Sequence, residues 1–392
     1  MGIEWKRVRL CDVAAIERGK FHHRPRNAPQ FYGGRYPFVQ TGDIAKSNGR
    51  LRAYSQTLND AGLAISKLFP KGTLLITIAA NIGDVAIAEI DVACPDSLIG
   101  INCSKDLDTT FLLYYLQAKK SELSRYAPES AQKNINLTTL INLGIPLPSP
   151  PEQRRIAEIF SCWDRAIERS QKIIALEQHL RNELLQKLLA GTVRFKEFGQ
   201  PARGKNDCPK GWTVGKLSDD IMLISGQHIR AHDYSDQPQG IPYLTGPADF
   251  PNNKIVTTKY TEHPKAICKT GDILVTVKGA GAGKSIVADS EYCISRQLMA
   301  IRPRKWWPLF VFFKIQSIEQ KYSNNSAGLI PGISRDEIFD TSILVAPLPE
   351  QRRIAGVLSC WDSSIEKNTF LIENYQKQKN GLIKKVFSGK WS

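Results

Sequence analysis

No apolar run in the 392-residue sequence approaches the roughly 18 residues that a membrane-spanning helix needs, and the first residues contain no apolar signal core. We therefore expect a cytoplasmic protein with no membrane partner. The eight cysteines include no C-x-x-C pair, and no histidine is placed to complete a zinc quartet, so we expect no metal site. Acidic residues are scarce, since 38 Asp and Glu face 53 Lys and Arg. The resulting net charge of +15 indicates a polyanionic partner, with nucleic acid as the first candidate.

Motifs for chemistry on nucleic acids are also missing. The sequence has no Asn-Pro-Pro-Tyr-like tetrad for methyl transfer and no G-x-G-x-x-G for a nucleotide cofactor, and Pro95-Asp96 is not followed by the acidic-x-Lys of a nuclease. The segment KGAGAGKS (278–285) resembles a phosphate-binding loop, but Lys278 stands where a Walker loop needs its first glycine. We therefore predict a protein that has no catalytic residues and binds no cofactor of its own.

The sequence contains an internal repeat. The segment EQRRIAEIFSCWDRAIER (152–169) returns as EQRRIAGVLSCWDSSIEK (350–367), with EQRRIA, SCWD and IE identical in both copies. The chain is therefore a tandem duplication. Its seam, at 192–211, is rich in Gly, Pro and Lys, which predicts a solvated connector. Weaker landmarks recur at a similar spacing, where Trp5, Leu10, Asp12 and Gly19 correspond to Trp212, Leu217, Asp219 and Gly226.

Each copy of the repeat divides into two parts that differ in the spacing of their apolar residues. Short apolar runs broken by turn residues come first and predict a mixed α+β domain, and a proline-rich stop then opens a long helix that ends near Gly191 or Gly389. The apolar stripes of the helices include Ile159 and Leu180, and Leu358 and Ile372. They predict that the two helices pack together as a coiled-coil-like pair with Trp163 and Trp361 in its core, although two ordinary helices in separate cores are the alternative. The predicted boundaries are 1–148 and 212–346 for the globular domains, 149–191 and 347–389 for the helices, and 192–211 for the connector.

The two copies agree at the helix starts and differ in most polar residues of the globular parts. Helices with the same surface predict two equivalent docking sites for two copies of one partner, whereas domains with different polar faces predict two recognition specificities. A clamp with pseudo-two-fold symmetry that reads two different DNA half-sites satisfies both expectations. Residues predicted to dock a partner or to join the helices, rather than to form a merely solvated helix start, are Glu152, Gln153, Arg154, Arg155, Glu350, Gln351, Arg352 and Arg353.

Several polar clusters in the globular parts are candidates for DNA contact. Clustered Lys and Arg neutralise phosphates, and Arg, Asn and Gln have the shape to read base edges. Solvated loops and internal turns are the alternative explanation for each cluster. The candidates are Lys20, His22, Arg24, Arg26, Gln132, Lys133, Asn134, Asn136, Gln227, His228, Arg230, Lys278, Lys284, Arg296 and Gln297.

Over nearly its whole length the sequence resembles the specificity subunits of Type I restriction-modification systems. The duplicated proline-rich stop followed by EQRRIA carries this resemblance, with W-x4-L-x-D openings at Trp5 and Trp212, TGDI at 41–44 and QKNIN at 132–136. The second half departs from the pattern, with TGPADF (245–250) and LIPGI (329–333) in place of the last two elements.

The resemblance implies two target recognition domains and two antiparallel helices that set the gap between the halves of an asymmetric, bipartite target. Its partners would be double-stranded DNA, two copies of a methyltransferase subunit and a motor-nuclease restriction subunit. The chain would direct adenine methylation and cleavage while S-adenosylmethionine and ATP bind only to those partner subunits. The alternative is a non-catalytic scaffold that joins two copies of a partner without reading DNA.

Overall fold

Short runs of β-branched and other apolar residues form the strands, and turn residues separate them, as the sequence pattern predicts. The computed structural model describes residues 5–23, 25, 27–125, 136–202, 204, 207–279, 281–319 and 332–388. The chain folds into two units: the first comprises Met1–Gln171 and Phe370–Ser392, and the second comprises Lys172–Thr369. Within the described ranges, every helix is too short or too polar to cross a membrane.

The first unit contains eleven strands within its described residues: β1 (Arg7–Arg9), β2 (Ala14–Arg18), β3 (Tyr32–Phe38), β4 (Arg50–Leu51), β5 (Gln56–Leu58), β6 (Lys67–Phe69), β7 (Leu74–Thr77), β8 (Val85–Ala88), β9 (Val92–Cys94), β10 (Leu98–Cys103) and β11 (Gly144–Pro146). Its helices are α1 (Thr41–Lys46), α2 (Asp60–Ala64), α3 (Thr109–Arg125), α4 (Leu137–Ile141) and the first part of α5 (Pro150–Leu189). One sheet has the order β2-β10-β7-β8-β4, another has the order β5-β3-β9-β6, and β1 pairs with β11. One apolar cluster lies between the two larger sheets, and a second lies between the five-stranded sheet and α3.

The second unit contains β12 (Thr213–Lys216), β13 (Ile221–Ser225), β14 (Ile241–Leu244), β15 (Tyr260–Thr261), β16 (Ile267–Cys268), β17 (Ile273–Thr276), β18 (Ser285–Val287), β19 (Tyr292–Ile294), β20 (Leu298–Pro303) and β21 (Ser342–Val345). Its helices are α6 (Pro308–Ser317), α7 (Arg335–Phe339) and the first part of α8 (Leu348–Phe387). Its sheets have the orders β13-β20-β17-β18, β15-β14-β19-β16 and β12-β21, which match those of the first unit strand for strand apart from β4. The repeat in the sequence is thus a repeat of topology.

Each unit contains one antiparallel pair of long-helix segments. In the first unit Phe160 and Trp163 of α5 contact Phe387 and Tyr375 of α8, so the contacts run in opposite directions along the two segments. In the second unit Arg181 of α5 binds Asp362 of α8, and Glu177 accepts hydrogen bonds from Ser364 and Asn368. The predicted fold class, with mixed α/β domains each followed by a long helix and with antiparallel pairing of the helices, is confirmed.

The buried face of α5 differs from the predicted apolar stripe. Ile159 and Leu180 are 37% and 51% exposed, whereas Phe160 and Arg181, one position further along, are buried. The rest of the predicted stripe is buried or half-buried, including Ile167 and Leu188. The helix packs on the globular domains as well as on α8, so its buried face is broader than the stripe and leaves out only Ile159 and Leu180. In α8, Leu358 and Ile372 are buried as predicted.

The identical Glu-Gln pair at each helix start binds that helix to its own globular domain. The indole of Trp5 donates a hydrogen bond to Glu152 (3.0 Å), and the indole of Trp212 donates one to Glu350 (2.9 Å). The next residue forms a second link, since the side chain of Gln153 accepts a hydrogen bond from the backbone N–H of Asp108 and donates to the carbonyl of Pro148.

Gln351 repeats this arrangement, accepting from the N–H of Trp307 (2.8 Å) and donating to the carbonyl of Ala346 (2.7 Å). We predicted that Glu152, Gln153, Glu350 and Gln351 dock a partner or join the two helices. The structure gives these side chains contacts within their own globular domains instead. Gln153, Glu350 and Gln351 are at most 2% exposed, so they present no surface to a partner.

The aspartate of the repeated SCWD motif pairs with a basic residue of the other long helix in both units. Asp164 forms an ion pair with Lys379 and also accepts a hydrogen bond from the hydroxyl of Tyr114 in α3 (2.7 Å). Asp362 pairs with Arg181, whose guanidinium also binds Gln316 in α6 (2.7 Å). The aspartate thus links the long-helix segments to the helix of a globular domain directly in the first unit and through Arg181 in the second.

The segment after α5, whose composition predicted a solvated connector, is largely exposed but is anchored to the second unit at Arg194. Arg194 is 3% exposed and forms two hydrogen bonds of 2.8 Å with the buried carboxylate of Glu350. Its guanidinium also donates to the carbonyl of Lys210 (2.9 Å). Hydrogen bonding to Glu350 raises the pKa of Arg194 above its ordinary value. The charged side chain of Arg194 can thus be buried because the carboxylate of Glu350 neutralises its charge.

Replacing the two equivalent glutamates should have unequal effects. Glu350→Ala would leave Arg194 buried without its counter-charge and is expected to lower the free energy of unfolding of the second unit by about 3–5 kcal/mol. Glu152→Ala removes the indole hydrogen bond in a half-buried setting and should cost the first unit about 1–2 kcal/mol. Amide hydrogen exchange on the full chain would report each unit separately. Equal losses in the two units would contradict the role given to Arg194.

Lys314 makes the stability of the second unit depend on pH. Its ammonium is buried and donates a hydrogen bond to the carbonyl of Leu189 (2.6 Å), and burial lowers its pKa from 10.5 to about 7. The folded chain therefore loses this proton at lower pH than the unfolded chain, so the free energy of unfolding rises as pH increases from about 7 to about 10.5.

Lys314→Met removes this titration. We expect the variant to stabilise the second unit more at about pH 6.5 than at about pH 9.5, with roughly 3 kcal/mol between the two conditions. Hydrogen exchange of the second unit, corrected for the intrinsic pH dependence of exchange, would measure the difference between variant and wild type. A difference that does not change with pH would mean that Lys314 keeps its ordinary pKa.

Candidate nucleic-acid interface

Four strand ends of the second unit converge on the turn between β19 and β20, which we name the second tip turn (295–297). Five backbone hydrogen bonds hold the turn, from neighbouring strands and from within itself. These bonds run from Gly226 N to Leu298 O (3.0 Å), Gln227 N to Ile294 O (3.0 Å), Ser295 N to Leu244 O (2.9 Å), Val277 N to Gln297 O (2.8 Å) and Leu298 N to Ser295 O (2.9 Å). Because the backbone is bound on all sides, the turn is a rigid platform for its side chains.

Ser295 and Gly226 make this close convergence possible. The hydroxyl of Ser295, which is 5% exposed, donates to the carbonyl of Thr245 (2.6 Å) and accepts from the N–H of Gln297 (3.1 Å). A Cβ at Gly226 would lie 1.9 Å from the carbonyl oxygen of Ser295, so only glycine allows β13 to approach the turn. The side chains of Arg296 and Gln297 are exposed at the tip.

The first unit has the same frame, with a first tip turn at 95–97. Gly19 N donates to Leu98 O (2.9 Å), Lys20 N to Cys94 O (3.0 Å) and Ile78 N to Ser97 O (3.0 Å). A Cβ at Gly19 would lie 2.2 Å from the carbonyl oxygen of Pro95. The side chains at the tip differ, since Asp96 and Ser97 occupy the positions of Arg296 and Gln297. The two units therefore present opposite charges on one backbone frame.

Several predicted DNA-contacting residues lie together at this edge. Gln227 follows β13 and Lys278 follows β17, both exposed beside the second tip turn. His228 and Arg230 are exposed further along the segment that begins with Gln227. In the first unit, Lys20 bonds to the strand that leads into the first tip turn, and the exposed His22 is two residues away.

Other predicted residues lie elsewhere or outside the described ranges. Asn136 accepts a hydrogen bond from the N–H of Thr138 (3.3 Å) and thereby caps α4, although its side chain remains at the surface. The predictions for the remaining residues concern positions outside the described part of the chain, namely Arg24, Arg26, Gln132, Lys133 and Asn134.

Lys284 stands where the first unit has an aspartate that forms an ion pair, so the charge at this position is reversed. In the first unit, Asp84 in the β7–β8 turn pairs with Lys120 of α3. The same turn in the second unit contains Lys284, because Thr276 N donates to Lys284 O (2.8 Å) just as Thr77 N donates to Asp84 O (2.9 Å). Lys284 faces Glu319, where burial raises the pKa of the carboxyl and the positive charge of Lys284 opposes that rise. Lys284 therefore interacts with a carboxylate of its own unit, in addition to the phosphate contact that we predict for it.

The second half lacks the TGDI sequence but has the same turn geometry at this position. The carboxylate of Asp43 accepts from the N–H of Gln40 (2.8 Å), and that of Asp249 accepts from the N–H groups of Thr245 (2.5 Å) and Gly246 (3.2 Å). Both aspartates therefore close a turn after the equivalent strand. Sequence reasoning missed Asp249, because the inserted residues hide its correspondence with Asp43.

A second candidate surface is an open groove of about 570 Å³ on the helix pair of the first unit. Trp163 and Tyr375 stack edge to face there, with ring centroids 5.6 Å apart. Trp163 contacts α8 as predicted but is only half-buried, so it lies at the margin of the helix-pair core and also lines the groove. The groove is lined by Arg155, Glu158, Ile159, Cys162, Trp163, Ala166 and Tyr375.

The arginines predicted to bind a partner are exposed in both units. Arg154 and Arg155 lie on the solvent side of α5. In the second unit, Arg352 lies over the ring of Trp307 (4.9 Å), and Arg353 lies over Phe195 (5.3 Å), with its guanidinium 3.9 Å from Glu197. No cluster of His, Cys, Asp and Glu with the geometry to hold a metal ion occurs among the described residues.

Comparison with known proteins gives sequence matches over most of the chain. The profile of the Type I restriction modification DNA specificity domain matches twice, at 2–178 and 209–374. The type I restriction enzyme MjaX specificity subunit of Methanocaldococcus jannaschii is 30% identical over 326 residues, covering 79% of this chain and 75% of the relative. The MjaVIII specificity subunit of the same organism is 23% identical over 99% of this chain and 93% of its own length.

Two solved structures share the fold. One comes from work on complex assembly and conformational transition of the type I R-M system, with a TM-score of 0.65, 21% identity and 98% of both chains covered. The other is the Type-I restriction-modification system S subunit from M. genitalium, with a TM-score of 0.60, 17% identity and coverage of 98% of this chain and 96% of the other.

The rigidity of the second tip turn can be tested at Gly226. In Gly226→Ala the new Cβ would collide with the carbonyl of Ser295, so the variant should lose about 1–3 kcal/mol of stability and lose exchange protection at Gln227 and Leu298. Gly356→Ala in α8, where a Cβ meets no atom within 4 Å, is the control and should be neutral or slightly stabilising. Unchanged hydrogen-exchange protection in Gly226→Ala would mean that the turn can move to accommodate the new Cβ and is not rigid.

Proposed function

The chain belongs to the Type I restriction modification DNA specificity family, and on this premise we propose that it reads an asymmetric, two-part DNA target for a Type I restriction-modification complex. One observation carries the proposal of two different half-sites. The two globular domains hold their tip turns with four equivalent backbone hydrogen bonds, yet one tip presents Asp96 and Ser97 and the other presents Arg296 and Gln297. A shared frame with different side chains is what two readers of different sequences require.

The exposed residues around the tips divide into two tasks. Lysines and histidines at neighbouring strand ends would contact phosphates, which positions a domain on the duplex but carries no sequence information. The side chains at the tips would contact base edges in the major groove. We assign phosphate contacts to Lys20, His22, His228, Arg230 and Lys278, with Lys284 a weaker candidate because Glu319 faces it, and base contacts to Gln227, Arg296 and Gln297.

Asn136 and the five predicted residues outside the described ranges remain candidates for DNA contact. The segment that contains Gln132, Lys133 and Asn134 directly precedes Asn136. The arginines at 24 and 26 follow Lys20 and His22, which lie near the first tip turn. Their assignment to phosphates or bases awaits the DNA-bound complex.

We propose that two copies of a methyltransferase subunit dock on the long helices. Three of the seven groove residues of the first unit have identical counterparts in the second, since Arg155, Cys162 and Trp163 correspond to Arg353, Cys360 and Trp361. All six side chains are exposed or half-buried. Identity that extends to exposed positions favours a partner, because burial in a core does not require it. Arg154 and Arg352 border the same surfaces.

In this proposal the chain has no catalytic role. The methyltransferase copies bind S-adenosylmethionine and methylate adenine, and a motor-nuclease restriction subunit uses ATP and cleaves. The relatives come from an archaeon and a mycoplasma, whose DNA lies in the cytoplasm, so we propose that location. The alternative, a scaffold that binds two partner copies without reading DNA, is not favoured by membership of a DNA specificity family.

Reconstitution of methylation tests the proposal. The chain would be combined with the methyltransferase subunit encoded beside it, and methylated adenines would be mapped by sequencing the modified DNA. We expect a two-part motif with a fixed gap and with different bases in its two halves, because the tip turns differ. The methyltransferase without this chain, and this chain alone, should leave DNA unmodified. Methylation at one undivided motif, or methylation independent of this chain, would support the scaffold instead.

A further inference from the structure

We propose that Arg296 reads a guanine in the half-site bound by the second globular domain. This inference rests on the proposed function and assigns one base of the target to one side chain. Arg296 stands at the centre of the second tip turn, between the buried Ser295 and the exposed Gln297. Its guanidinium makes no hydrogen bond or ion pair with other residues in the described part of the chain.

The backbone under Arg296 is already in place before DNA arrives. Ser295 is bound through its N–H to Leu244 and through its hydroxyl to Thr245. On the other side, the carbonyl of Gln297 accepts from Val277. Only the side chain of Arg296 has to be ordered on binding, so the entropic cost of the contact is small. A base-reading side chain on a fixed support can discriminate, whereas one on a mobile loop adjusts to any base.

The chemistry of arginine selects guanine among the four bases. A guanidinium presents two parallel N–H donors, and only guanine offers two acceptors, O6 and N7, on one edge in the major groove. A lone exposed arginine also suits a phosphate, which is the competing explanation. The surroundings favour the base, because Lys278 provides a cation directly after β17, Arg230 provides one further along the segment after β13, and Arg296 is left at the tip.

The first tip turn shows why this contact should be confined to one half-site. Asp96 occupies the position of Arg296 there, and a carboxylate has no donor for guanine O6 or N7. Arg18, the last residue of β2, donates to the carbonyl of Asp96 (2.6 Å) and supports the backbone of the turn. The guanine contact therefore distinguishes the second domain from the first.

Mapping the methylation motif of Arg296 variants tests the inference. Full-length Arg296→Ala, assembled with the methyltransferase subunit, should retain the two-part motif and lose its preference for guanine at one position of one half-site, by roughly 5- to 150-fold. Arg296→Lys keeps the charge but lacks the paired planar donors, so it should retain DNA affinity and still lose part of this preference.

A matched control lies at the other end of the same strand. Arg304 is exposed just beyond β20, about 20 Å along the strand from the tip turn at about 3.3 Å per residue. Arg304→Ala removes the same charge from the same domain and should leave the motif unchanged. Circular dichroism and thermal melting of each variant would verify that the domain is folded.

Two results would overturn the guanine contact. If Arg296→Ala weakens binding to all sequences equally, reduces the salt dependence of affinity by about one charge and is fully restored by Arg296→Lys, the residue binds a phosphate. If neither the motif nor the affinity changes, Arg296 does not contact DNA. A wild-type complex without a two-part motif would instead overturn the proposed function and this inference together.

Discussion

In each unit, a glutamate in the first turn of a long helix accepts a hydrogen bond from the tryptophan that opens the globular domain. This contact closes the domain, because it joins the start of the domain to the residues that follow its last strand. The neighbouring glutamine binds backbone groups on both sides of the junction, so the direction in which the helix leaves the domain is set by four hydrogen-bonding groups. Everything beyond the junction, including the antiparallel helix pair and the aspartates at 164 and 362, depends on that direction.

The division between backbone and side chain explains how one fold serves two specificities. At both tip turns the backbone is held by equivalent hydrogen bonds, and a glycine permits the close approach of the neighbouring strand. The side chains at the tip differ between the two units although this backbone frame is shared. The core residues and the glycines at 19 and 226 hold the frame, while Asp96 and Ser97 in one unit stand where Arg296 and Gln297 stand in the other.

The sequence predicts the architecture well, because the repeat and the hydrophobic periods are local signals. The strands, the long helices and their pairing are present as expected. The identity of the Glu-Gln pair in the two copies correctly indicated that the pair has the same role in both units. It did not indicate which role, because sequence identity does not reveal which residues the pair contacts. Gln153, Glu350 and Gln351 were therefore assigned to a partner, although they are buried against their own domains. The burial of Arg194 and the assembly of the second tip turn were unpredictable for the same reason, since each depends on residues distant in the chain.

The charge-reversed pairs have a consequence for how such a chain can evolve. Asp84 with Lys120, and Lys284 with Glu319, are each balanced within their own unit. An exchange of gene segments between the two copies that broke between the turn and the helix would place two carboxylates opposite each other in one product and two ammonium groups in the other. Recombination that retains both partners avoids this repulsion. The stretch from the turn to the helix, which contains the tip turn, should therefore be inherited as one block.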